Sequence, residues 1–284
     1  MTDENSDETR LREAVAELYD TFSSVRKPRH ISDDLAVYTD EQLRAQKTKT
    51  LREFTLEEMT DYTWHSFYCE GQERQAIRYW LPRLLDVFST VREELDFDTP
   101  AFHPVFDIDL LTDRMQATGW STWDLQERAV ITKWLLAWFQ ACLEYGGADD
   151  AWPEWLPENR KAFGSLLAMQ KLGMPFGEAL KAWNGQDGLP PVRQLVDLVG
   201  DLAMYDDLQE KLGLASPNAA DRTFATWLFL ETTQARLEST RDAVLEQGLR
   251  SASTADIYKA ERIAEETEQA MAELTALRAA HADS

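Results

Sequence analysis

Asp61, His65 and Cys69 recur at every fourth position of a segment whose apolar residues have helical spacing. Residues four apart share one face of a helix, so the three side chains would line up along it. A carboxylate, an imidazole and a thiol in a row could hold a metal ion or pair a nucleophile with a base. The same row is also what a half-buried polar stripe looks like, with Cys69 packing as a small hydrophobe. A second place for chemistry is Pro82. It interrupts the apolar run Gln75 to Phe88 (QAIRYWLPRLLDVF) and puts Tyr79, Trp80 and Arg83 around it. Proline lacks an N–H and its ring crowds the carbonyl of Arg78, so a kink or a junction of two short helices is expected there. The freed carbonyl then needs a donor, which Arg83 or a water could provide. A pocket at the kink would collect Tyr79, Trp80, Arg83, Trp120, His65 and Cys69; the simpler account is a bent core helix.

Other chemistry finds less support. Asp107, Asp109 and Asp113 could face a cation, but they lack the glycine and terminal glutamate of a calcium loop. Acids at a helix start also suit the helix dipole. The four histidines, His30, His65, His103 and His281, are scattered, and no Glu-x-x-His pair supports a di-metal bundle. The phosphate-binding, dinucleotide, metalloprotease, nucleophile-elbow and EF-hand patterns are all missing from the sequence. Neither a metal nor a cofactor is expected.

The elements that would position these residues read as helices throughout. Ala, Leu, Glu, Gln, Asp and Arg dominate, glycine is scarce at twelve, and no alternating β-branched run occurs. The expected fold is all-α: an irregular multi-helix bundle ending in a long antiparallel αα-hairpin. Residues 1–10 read as a disordered polar tail, 11–146 as an N-terminal helical domain, and 158–284 as a C-terminal helical region. The stretch GGADDAWPEWLP at 146–157 reads as the linker. Thr55 and Glu58 form a capping-box pattern, and Ser121 or Thr122 is placed to cap the helix carrying Val130, Trp134 and Trp138. In the hairpin, Ala220–Gly248 and Thr254–Ala280 read as two helices joined around Gly248–Ser253. The first is apolar nearly all round at Phe224–Leu230 and thins to one stripe at Leu237–Leu245. Its Trp227 end should be anchored and its Gly248 end should project.

The net charge is −22 at pH 7. Such a surface repels phosphate backbones and anionic lipid, so neither nucleic acid nor membrane is an expected partner. No run of 18 apolar residues is long enough to span a bilayer. The polar start MTDENSDETR lacks a secretory-signal pattern, and the two cysteines, Cys69 and Cys142, sit in aromatic helical segments. Buried thiols in a reducing cytoplasm are expected.

Five features occur together in the N-terminal half: Tyr19 with Phe22; Thr63-Trp64; the run Tyr79-Trp80-Leu81-Pro82-Arg83-Leu84-Leu85; Trp120 with Trp123; and Glu127-Arg128. In this the stretch 11–146 resembles a family of uncharacterised bacterial helical proteins. The resemblance implies a helical, bacterial, cytoplasmic protein and implies no activity. Members of that family often carry a histidine and paired cysteines between the first and second helices. Here His30 stands alone, which removes the support for a metal site in that connector.

Two functions are therefore expected as rivals. One is a non-catalytic acidic protein, an accessory or immunity-type factor, working through a basic protein partner or self-association. The other is an enzyme with an unrecognised pocket near His65, Cys69 and Pro82.

Overall fold

The apolar stripe of residues 73–90 becomes, in the computed structural model of the chain, one helix that runs through its proline. The structure describes residues 6–28, 47–55, 73–90, 108–145, 161–175, 177–212, 222–251 and 253–282, with 39, 41, 44, 58 and 214 singly. Of the described residues 83% are helical and none is in a strand, so the fold is all-α. Eleven α-helices are described, and contacts divide the chain into two units. The first is Met1–Trp138 with Lys171–Met174; the second is Phe139–Gln170 with Pro175–Ser284.

In the first unit α1 is Ser6–Thr21, α2 Glu73–Thr90 and α3 Ile108–Ala117. Helix α1 starts inside the stretch 1–10 read as a tail. It buries Leu11, Ala14, Val15, Leu18 and the following Phe22. Helix α2 buries Ile77, Trp80, Leu81, Leu84, Leu85 and Phe88, which matches the spacing of its apolar residues. The junction of two short helices expected at Pro82 does not form: Pro82 lies inside a continuous α2. Close packing on both sides of the proline holds it, with Trp80, Leu81 and Leu84 fully buried.

Helix α4, Leu125–Leu143, is capped by Asp124, not by Ser121 or Thr122. Asp124 Oδ1 accepts the Gln126 N–H at 2.8 Å. Residues Trp120–Thr122 instead make a 3-10 turn, entered through Gly119 at φ 79°, a backbone that suits glycine. The boundary between the units falls within α4, after Trp138. Trp134 stacks on Trp138 at 5.8 Å and donates its N–H to Ser89 Oγ at 3.0 Å.

The second unit contains α5 (Ala162–Lys171, except its last residue), α6 (Gly177–Asn184), α7 (Leu189–Met204), α8 (Asp206–Lys211), α9 (Arg222–Leu228), α10 (Glu231–Arg250) and α11 (Thr254–Ala282). Trp183 is fully buried between Phe139 at 5.7 Å and Trp227 at 4.9 Å, and its N–H reaches Pro191 O at 3.0 Å. Buried Gln194 accepts the Ala162 N–H at 2.8 Å and donates to Cys142 O at 2.9 Å. It thereby satisfies an α5 N-terminus and an α4 C-terminus that would otherwise be orphaned.

The first hairpin helix is not continuous from Ala220. It breaks at Phe229–Leu230, where Leu230 turns extended (φ −62°, ψ 144°). The carbonyls this exposes are taken up by side chains. Thr233 Oγ1 donates to Trp227 O and Arg278 to Phe229 O, both at 2.9 Å. Helices α10 and α11 then pair antiparallel, as expected. Among the described residues no helix is long and apolar enough to cross a membrane.

Candidate functional site

The residues singled out around Pro82 are used inside the fold. Trp80 is fully buried, edge-on to Phe54 at 4.9 Å and to Tyr79 at 5.0 Å. Its indole N–H has no partner among the described residues. Arg83 does not serve the carbonyl of Arg78. Its Nε donates to Phe54 O at 3.0 Å and another guanidinium nitrogen to Asp86 at 2.7 Å. That bond fastens the segment after the Leu51–Glu53 turn to α2. Asp86 also accepts the Tyr19 hydroxyl at 2.8 Å, and the Arg52 guanidinium lies 3.8 Å over the Tyr19 ring. Burial, reinforced by the bond to Asp86, pushes the Tyr19 phenol well above its usual range. Burial also raises Tyr79.

Trp120 stands elsewhere: it is buried against Trp123 at 5.4 Å and donates to Leu172 O at 2.9 Å. His65 and Cys69 lie outside the described residues. The structure therefore gathers Tyr79, Trp80 and Arg83 on α2 and does not bring Trp120 to them in any described cavity. Asp109 and Asp113 both hold Lys171, at 2.6 Å each. Burial alone would lower the Lys171 ammonium, but the two carboxylates outweigh it and raise it. These acids neutralise a lysine; Asp107 lies outside the described residues. Among the described residues no group of three His, Cys, Asp or Glu is placed to hold a metal ion.

The described cavities are lined by other residues. One of about 410 Å³ lies among Glu73, Arg74, Ile77, Arg114, Ala117 and Thr118. Another of about 400 Å³ is bounded by Ser24, Val25, Arg26, Arg74, Gln75 and Arg78. An arginine-lined cleft on an acidic protein invites an anion. However, Arg74 donates to Thr122 O at 3.0 Å and Arg78 Nε to buried Glu127 at 3.1 Å. Their guanidinium groups are already engaged, Arg114 also makes contacts of its own, and what remains is solvated arginine at a cleft rim. Residue spacing does not announce the Arg78–Glu127 pair; its only sign in the sequence is Glu127 in the Glu-Arg dipeptide after the paired tryptophans.

Among the described residues, several large apolar side chains are exposed at the end of the hairpin. Leu249 is 87% exposed and Tyr258 70%, and Leu245 and Ile257 are also exposed. Further along the hairpin the surface is acidic. Glu238, Glu265 and Glu268 are exposed, and Glu238 and Glu268 both help hold the Arg241 guanidinium charged, after Asp242. Comparison of the chain with protein-family models, with curated proteins and with solved structures returns no match.

Proposed function

We propose that this is a non-catalytic, cytoplasmic bacterial protein that works by protein–protein contact, as an accessory or immunity-type factor for a basic partner. The carrying observation is the acidic hairpin, which displays Glu238, Glu265 and Glu268 on a chain of net charge −22. Carboxylates on a rigid helix pair steer a positively charged partner and set its approach. The commitment of Arg83, Trp80, Asp109 and Asp113 to internal contacts supports the same reading. So does the resemblance of residues 11–146 to bacterial helical proteins with no assigned activity.

The test is affinity capture from the native host with the wild type and with Glu238→Lys/Glu265→Lys/Glu268→Lys. A basic protein held at low salt, released at high salt and lost in the variant is expected, because exposed ion pairs are screened. Capture that ignores both salt and the three substitutions overturns the reading.

A further inference from the structure

We infer that the end of the α10–α11 hairpin is a self-association surface whose occupant is a second copy of this chain. The inference rests on the contact reading above and assigns a separate surface to a separate partner. Four large apolar side chains are presented there: Leu249 at 87% exposure, Tyr258 at 70%, Ile257 at 37% and Leu245 at 36%.

Three of them lie on one side. Leu245 and Leu249 each follow an inward-facing residue, Val244 and Gly248, both buried. Tyr258 follows Ile257, whose Cα lies 3.9 Å from where a Gly248 side chain would begin. One step along a helix is a rotation of about 100°. In an antiparallel pair, that rotation carries the next residue of either helix to the same side. Leu245, Leu249 and Tyr258 therefore face together.

Helix α7 leaves this end uncovered. Arg193 bonds Glu266, and Gly200 lies beside Glu273, so α7 and α11 run parallel in a fixed register. Leu189, the first residue of α7, then sits level with residue 262. The hairpin runs on past it for on the order of 10 Å.

Charge selects the occupant. The chain carries −22, yet between 241 and 262 four basic side chains (Arg241, Arg250, Lys259, Arg262) cancel four acidic ones. Several are paired within the tip: Arg241 with Asp242 at 2.8 Å, and Arg250 with Glu246. Two copies of a strongly acidic body repel wherever their acidic surfaces face. They can approach where the local charge is zero and the centre is apolar. A basic partner gains nothing from a neutral tip, and an anionic membrane finds no excess of lysine or arginine there. A twofold contact needs a self-complementary patch, and an apolar centre with mixed charge around it is one. The patch offers on the order of 400 Å² per copy, half of what one partner contributes to a standard interface, so the dimer is weak and concentration-dependent.

Sedimentation velocity of the full chain over a concentration series, at low and at high salt, tests this. Self-association that strengthens with salt is expected, because salt screens the repulsion between acidic bodies. Leu249→Glu and Tyr258→Glu should each weaken it at least tenfold with an unchanged circular dichroism spectrum. Leu125→Glu, at another exposed leucine (74%), should not change it. A wild type that stays monomeric throughout overturns the inference. So does a dimer indifferent to the tip substitutions, or one weakened equally by Leu125→Glu. Capture of a basic partner reports separately. A monomeric wild type that still captures one overturns self-association alone. A tip-dependent dimer that captures none supports self-association and overturns only the basic-partner reading.

Discussion

Gly248→Ala should destabilise the protein, although alanine ordinarily stabilises a helix interior over glycine by about 1 kcal/mol. The reason is the approach of α10 to α11. A Cβ added at Gly248 would sit 2.6 Å from the Cβ of Ala260. Comfortable carbon contact is about 3.5–4.0 Å, so the helices must part by about 1 Å. The obstructing atom is attached directly to the α11 backbone and has no rotamer into which to retreat. Overpacking of this kind costs about 1–3 kcal/mol, which exceeds the gain in helix propensity. The net expected loss is about 1 kcal/mol. Urea unfolding followed by circular dichroism, with amide exchange along the hairpin, measures it. Ala260→Gly in the Gly248→Ala background should restore most of the loss, a favourable coupling of about 1–2 kcal/mol. If Gly248→Ala raises the unfolding midpoint, or the two substitutions simply add, the close approach does not govern this position.

Trp80→Ala should cost about 3–5 kcal/mol in urea unfolding, the range for truncating a large core aromatic; normal stability would place Trp80 outside the core. Arg278→Met leaves the carbonyl of Phe229 without its donor and should cost about 1–3 kcal/mol, read by the same unfolding assay. Tyr19 gives a pH signature. Its folded pKa is raised above the usual value of about 10, so the stability it lends is fully present below pH about 10 and is lost as pH climbs toward the folded value. Tyr19→Phe should be less stable at neutral pH and should lack that alkaline loss in a pH series of unfolding midpoints.

Much of the fold is legible in residue order. The stripe Ile77, Trp80, Leu81, Leu84, Leu85 and Phe88 announces α2, and its burial follows. Thr55 and Glu58 announce a capping box, and the bonds are present: Thr55 N–H to Glu58 at 2.9 Å and Glu58 N–H to Thr55 Oγ1 at 3.3 Å. The break at Phe229–Leu230 is not legible. The segment Phe224–Leu230 is apolar but for Thr226 and carries neither glycine nor proline. The Phe229 carbonyl at the break is held by Arg278, nearly fifty residues away. Gly248 looks like a helix stop, but its missing side chain serves packing, and α10 continues to Arg250. Leu245 keeps the apolar rhythm and yet faces solvent, because rhythm alone does not say where a covering helix ends. The candidate site was legible only as residue types. Whether Arg83 binds a ligand or a backbone carbonyl depends on Phe54, and sequence spacing cannot place that residue.

Amide hydrogen exchange of the full chain at low and high protein concentration tests the central claim, that the free end of the hairpin is a contact surface. Exchange around residues 245–258 should slow at high concentration while α2 and α7 stay unchanged. Exchange that is independent of concentration at the tip, or protection that appears elsewhere instead, would contradict the account.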